Sequence, residues 1–122
     1  MAGFIKVEVE KLPTHQLNMK VNKDIFYDFK VKCKQRGLPM NVVIETFMNQ
    51  YIDGEYYLDE ELIFEQEEME SEKETLNTPI NKEVHRKFKN IIKANGMKVK
   101  YVVGAFIEDY ANNDLVMKFA RK

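Results

Sequence analysis

Cysteine is almost missing from this chain of 122 residues, and tryptophan is missing altogether. The lone thiol, Cys33, has no internal partner, so a disulfide framework is excluded, and no CxxC or His/Cys cluster has the spacing of a zinc site. No apolar run approaches the roughly 18 residues that a membrane span needs. The first residues, MAGFIKVEVEKL, lack the continuous apolar stretch and small-residue cleavage site of a secretory signal. These absences predict a cytoplasmic protein with no membrane association, no metal and no cofactor. Carboxylates are plentiful but form one run instead of a pair in an apolar cleft. With no nucleophile set and no phosphate loop either, an enzyme is not expected. A mass of 14.5 kDa fits one ordinary domain or two very small ones.

What is present is charge, unevenly spread. The formal net charge is -1, yet the stretch 54–74 holds ten acids against one base, Lys73, a net of -9. Elsewhere 18 basic residues face 10 acidic ones, a net of +8, the balance of a surface that meets polyanions. Sliding the sequence on itself gives an ungapped match at an offset of 59, laying Leu17–Tyr51 over Leu76–Tyr110. Eleven of the 35 positions are identical, among them Asn18/Asn77, Asn22/Asn81, Phe29/Phe88, Gly37/Gly96, Phe47/Phe106 and Tyr51/Tyr110. Such self-similarity marks two copies of one supersecondary unit. The organisation read from it is an N-terminal arm or extra strand over 1–15, a first unit over 16–53, an acidic connector over 54–74, and a second unit with a C-terminal extension over 75–122. Leu58, Leu62, Ile63 and Met69 in the connector have the spacing of an acidic amphipathic helix. Ile5, Val7 and Val9 alternate as an additional strand, or a DNA-following arm, would.

Both copies share a local grammar. Leu17, Met19 and Val21 alternate with Gln16, Asn18 and Lys20, the period of two of a half-buried strand about five residues long. Asn22 stands at a helix N-cap with Asp24 in the first turn, and Ile25, Phe29 and Cys33 form an apolar stripe that stops at Gly37. Val43, Ile44, Phe47, Met48 and Tyr51 restore a helical period, which Gly54 ends. The second copy runs the same way through Asn81, the stripe Val84, Phe88, Ile91 and Ile92, the stop at Gly96, and Val102, Val103, Phe106, Ile107 and Tyr110. The phenylalanines and tyrosines of these stripes are expected in the core. His15 and His85 lie far apart without metal-ligand spacing, and His85 is expected on a solvated helix face.

A lone strand has no partner, and one strand with two helices cannot bury a core, so the copies must combine. At this point the residues resemble the ribbon-helix-helix family, the Arc, MetJ and CopG type of DNA-binding protein, over about 70 of the 122 residues. The resemblance implies a mainly α fold with a short antiparallel β-ribbon, its two units forming an intramolecular pseudo-dimer. It further implies that the ribbon enters the major groove of double-stranded DNA. Carried over by position, the base-reading side chains are Gln16, Asn18, Lys20, Thr75 and Asn77, with Pro79 in place of a sixth reader. Asparagine and glutamine suit adenine, and lysine suits guanine. The family also holds phosphate at the start of its second helix, here Asn41 in one copy and Lys98 and Lys100 in the other. Serine or threonine is common there in the family, whereas this chain has Pro39 and Lys98.

The function expected is sequence-specific DNA binding as a small transcriptional repressor, with self-association on DNA and a nucleoid location in keeping with it. Tandem copies also resemble the relaxosome protein TraY, which leaves a conjugation or partition accessory role open. A third reading keeps the fold as a protein-interaction module, with the acidic connector meeting a basic partner or folding back over the ribbon. Abundant Lys, Asn, Ile and Glu fit an AT-rich bacterial, plasmid or phage source.

Overall fold

The computed structural model of the protein describes residues 13–68 and 71–113. The arm with Ile5, Val7 and Val9, connector residue Met69 and the extension beyond 113 lie outside the described residues. Within them the chain is mainly helical, with one two-stranded antiparallel sheet. The order is β1 (Thr14–Asn22), α1 (Lys23–Gln35), α2 (Met40–Ile52), α3 (Glu60–Glu68), β2 (Lys73–Asn81), α4 (Lys82–Ala94) and α5 (Val99–Asn112). No described helix is long and apolar enough to cross a membrane.

Each strand has nine residues, longer than the alternation of apolar side chains suggests. The extra residues, Thr14, His15, Lys73 and Glu74, bury no side chain, but their backbones continue the ladder. Beyond it, Lys23 N–H donates to the Glu72 carbonyl and Lys82 N–H to the Pro13 carbonyl, each at 2.9 Å. Backbone pairing therefore extends the ribbon past the point where burial ceases.

The helix ends follow local chemistry. Asn22 Oδ1 accepts from Ile25 N–H, and Asn81 Oδ1 from Glu83 and Val84 N–H, as N-caps do. At the far ends Gly37 and Gly96 take φ of +68° and +73°. Leu38 N–H and Met97 N–H then reach back to the Cys33 and Ile92 carbonyls, at 3.0 Å each, closing Schellman turns. A Cβ on Gly96 would meet nothing within 4 Å, so its substitution isolates the backbone cost. Gly96→Ala is expected to lower unfolding free energy by about 1–2 kcal/mol in a urea titration. An unchanged midpoint would mean that the turn does not need a left-handed residue.

The helices pack crosswise: α1 lies on α5 and α2 on α4, so the core is built between the two sequence copies. Phe47 and Phe106, both with no exposure, stack at 4.2 Å between centroids, their planes 10° apart. Phe29 meets Phe106 edge-on at 6.3 Å and Phe88 meets Phe47 edge-on at 5.7 Å. The stripe aromatics are thus core residues, with Tyr51 half-buried at its rim. Tyr56, from the connector, lies edge-on to both stacked rings and donates to Asp109 Oδ2 at 2.9 Å. Burial, with the neighbouring Asp109 carboxylate, pushes its hydroxyl well above the ordinary tyrosine range.

The connector breaks the likeness between the halves. Its helix α3 packs on α5, which explains why α5 buries Gly104 and Ala105 in addition to its own stripe. A Cβ at Gly104 would stand 3.0 Å from Gln66 Oε1, so the glycine makes room for α3. The corresponding residue of α2 is Glu45, half-buried, whose carboxylate instead accepts from Asn81 N–H at 2.6 Å. The first-helix stripes also differ from the expectation. Phe26 is buried in α1 while Ile25 is only half-buried, and His85, at the matching position of α4, is buried with 9% exposure.

Candidate functional site

Alternation along β1 and β2 sends Leu17, Met19, Val21, Leu76, Thr78 and Ile80 into the core, leaving the intervening side chains on the opposite face. All five predicted base readers, Gln16, Asn18, Lys20, Thr75 and Asn77, are exposed there, together with Pro79. The ladder sets them opposite one another as Gln16/Pro79, Asn18/Asn77 and Lys20/Thr75. Residues 59 apart in the chain face each other only at Asn18/Asn77, so that pair is the centre of the face. At about 3.4 Å per residue the outward positions of one strand span roughly 14 Å. Pro79 is exposed on this face opposite Gln16.

The predicted phosphate residues divide. Lys98 is the N-cap residue of α5 and Lys100 lies in its first turn; Asn41 occupies the first turn of α2. Neither Pro39 nor Lys98 makes a side-chain cap, so among the described residues the first amides of both helices have no capping side chain. The N-terminus of α5 stands beside β1. One cleft of about 380 Å³ is lined by Gln16, Asn18, His15, His85, Lys89, Lys98 and Lys100, and another of about 470 Å³ by Asn18, Lys20, Lys73, Gln66, Lys100 and Tyr101. Asn41 lines neither of them. Three predicted readers and two predicted phosphate lysines therefore share one basic flank of the ribbon.

Several participants escaped the sequence reading. Tyr101 holds both lysines over its ring, Lys98 Nζ at 5.9 Å and Lys100 Nζ at 5.1 Å from the centroid, where the π face attracts cations. Its position in α2 is taken by Val42, so nothing in the repeat pointed to it. Lys73 was counted with the acidic connector but belongs to β2. The largest correction concerns the histidines. His85 is not on a solvated face: one helical turn before Phe88, it looks onto β1, where His15 Nδ1 comes within 2.9 Å of His85 Nδ1. Their rings lie 4.8 Å apart, tilted by 35°. Burial first, then the His15 and Lys89 charges, holds His85 below the ordinary histidine pKa.

The other end of the ribbon carries different chemistry at the matching positions. Glu74 stands where the first copy has His15, and Phe26 where the second has His85. Lys30 Nζ lies 3.6 Å from Glu74 Oε2 and 4.4 Å from the centre of the Phe26 ring, so that end is compensated. Among the described residues no group of three or more His, Cys, Asp or Glu could hold a metal ion. The arrangement offers amide and ammonium donors on an exposed two-stranded face with cations along one side. No known protein family, curated protein or solved structure matches this chain.

Proposed function

We propose that this chain is a single-chain ribbon-helix-helix protein whose two units act as an intramolecular pseudo-dimer, and that it binds double-stranded DNA by laying β1 and β2 in the major groove. The observation that carries this reading is the register, which gathers Gln16, Asn18, Lys20, Thr75 and Asn77 on one exposed face centred on Asn18/Asn77. The crosswise packing of α1 on α5 and α2 on α4 supports the pseudo-dimer, because each unit then completes the other's core. A span of roughly 14 Å covers about four base pairs, and a two-stranded ribbon fits the groove's width. Lys73, Lys98 and Lys100 supply the salt-dependent phosphate attraction. Pro79 leaves the two half-sites chemically unequal. The role is that of a small transcriptional repressor in the cytoplasm, associated with the nucleoid, or of a conjugation or partition accessory protein acting through the same ribbon.

Selection of bound duplexes from a random pool tests the reading. An enriched motif, bound about a thousandfold more tightly than a scrambled duplex, is the expected result. Absence of enrichment overturns it. One observation favours a second reading, a protein-interaction module: on the acidic α3 side, Tyr57 and Phe64 are exposed beside a groove of about 680 Å³. The connector would then take a basic partner carrying an apolar anchor.

A further inference from the structure

The His15–His85 pair lies 70 residues apart in sequence, is brought together only by the packing of α4 on β1, and has no counterpart at the other end of the ribbon. At 2.9 Å between the two Nδ1 atoms, one imidazole donates and the other accepts. A second proton would turn both into donors and break the contact unless an anion were placed to accept from both. The groups facing the pair are predominantly cationic. Lys82, Arg86 and Lys89 line the cleft on the α4 side, and Lys98 and Lys100 at the start of α5 line the cleft on the ribbon side. Among the described residues lining these clefts the one acid, Glu83, is engaged with Arg86 at 2.8 Å. Such surroundings repel a metal cation and attract a phosphate. They lie next to Gln16 and Asn18, where the sugar-phosphate backbone of a duplex seated on the ribbon would pass.

Resting on the DNA reading above, we propose that His15, His85 and Lys89 form a phosphate-binding site that takes up a proton when a backbone phosphate of duplex DNA enters it. The phosphate oxygens accept from two Nδ1–H groups, that of the ring which already donated and that of the ring which takes up the one proton, replacing the hydrogen bond between the rings, and the proton comes from solvent. The direction of the pH effect follows. In the free protein burial and the neighbouring cations oppose charge on His85, whereas the bound phosphate favours it, so the pKa rises on binding. Affinity therefore increases as pH falls through the histidine range. Histidine accounts for only two residues of the chain, and burial pushes the Cys33 thiol up to about 11, which removes it from that window. Phe26 and the Glu74–Lys30 pair stand at the opposite end in place of the two histidines, which makes that end a built-in control.

The test measures binding of a labelled mixed-sequence duplex of about 24 base pairs by fluorescence anisotropy at pH 5.5 and 8.0, at one ionic strength of about 0.1 M. The full chain is expected to bind about tenfold more tightly at pH 5.5, each unit of pKa shift being worth a factor of ten. His85→Phe, which copies the residue of the other half, and His15→Gln, at an exposed position, should each reduce that ratio below about threefold. The ratio is read within each variant, against that variant's own affinity at pH 8.0. A ratio kept by both variants, or pH-independent binding by the parent, overturns the phosphate site while leaving the DNA reading standing. No binding by the parent to this duplex or to any selected one, at either pH, overturns the DNA reading and the site with it.

Discussion

Phe106→Ala is expected to lower the unfolding free energy by about 3–5 kcal/mol, a large share of the stability of a domain this size. Its ring is fully buried, stacked on Phe47 and met edge-on by Phe29 and Tyr56. Truncation leaves a cavity whose walls come from four elements, α1, α2, α5 and the connector, so relaxation of one element cannot fill it. Phe47→Ala should cost a similar amount, since it loses the same stack and the edge contact with Phe88. The double variant should cost about 1 kcal/mol less than the two losses combined, because each single change already removes the stacked pair. Urea unfolding followed by circular dichroism measures all three. Losses below about 1 kcal/mol for both single variants would mean that the halves do not share this core.

The largest effect on binding is expected from the centre of the ribbon. Asn18→Ala combined with Asn77→Ala should weaken binding to a selected duplex by a factor on the order of 100 or more, each good bidentate contact to a base being worth about 1–3 kcal/mol. Both side chains are exposed and opposite each other, so their removal leaves the core untouched. Binding to an unrelated duplex at the same salt should change by less than about threefold, because phosphate contacts carry the non-specific term. Lys100→Ala is the contrasting variant: it should weaken both duplexes alike and reduce the salt slope by about one. Equal losses on both duplexes for the asparagine variant would show that Asn18 and Asn77 do not read bases.

Much of the local structure was legible before any coordinates. Asn22 and Asn81 at helix starts, Gly37 and Gly96 at helix stops, and the alternation in each strand act over a few residues, and each sits where its chemistry places it. The outward face was legible for the same reason: a period of two assigns every side chain to one side once the apolar set is known. The repeat added that the same elements occur twice. The connector helix was legible only in part, since Leu58, Leu62 and Ile63 are spaced for a helix but say nothing of the surface they meet.

The sequence alone determined the order of the repeated elements, the starts and stops of α1 and α4, the positions on the ribbon's exposed face and the aromatic stripes, because caps, left-handed glycines and apolar periodicity are properties of neighbouring residues. Only the tertiary structure decided that α1 crosses to α5 and α2 to α4, that α3 lies on α5 over Gly104, and that the basic flank forms beside β1. It alone buried His85 against His15, a residue whose polarity reads as solvated until the strand that covers it is in place. These outcomes depend on contacts between residues far apart in the chain, and no local pattern encodes which of two near-equal faces a distant segment will cover.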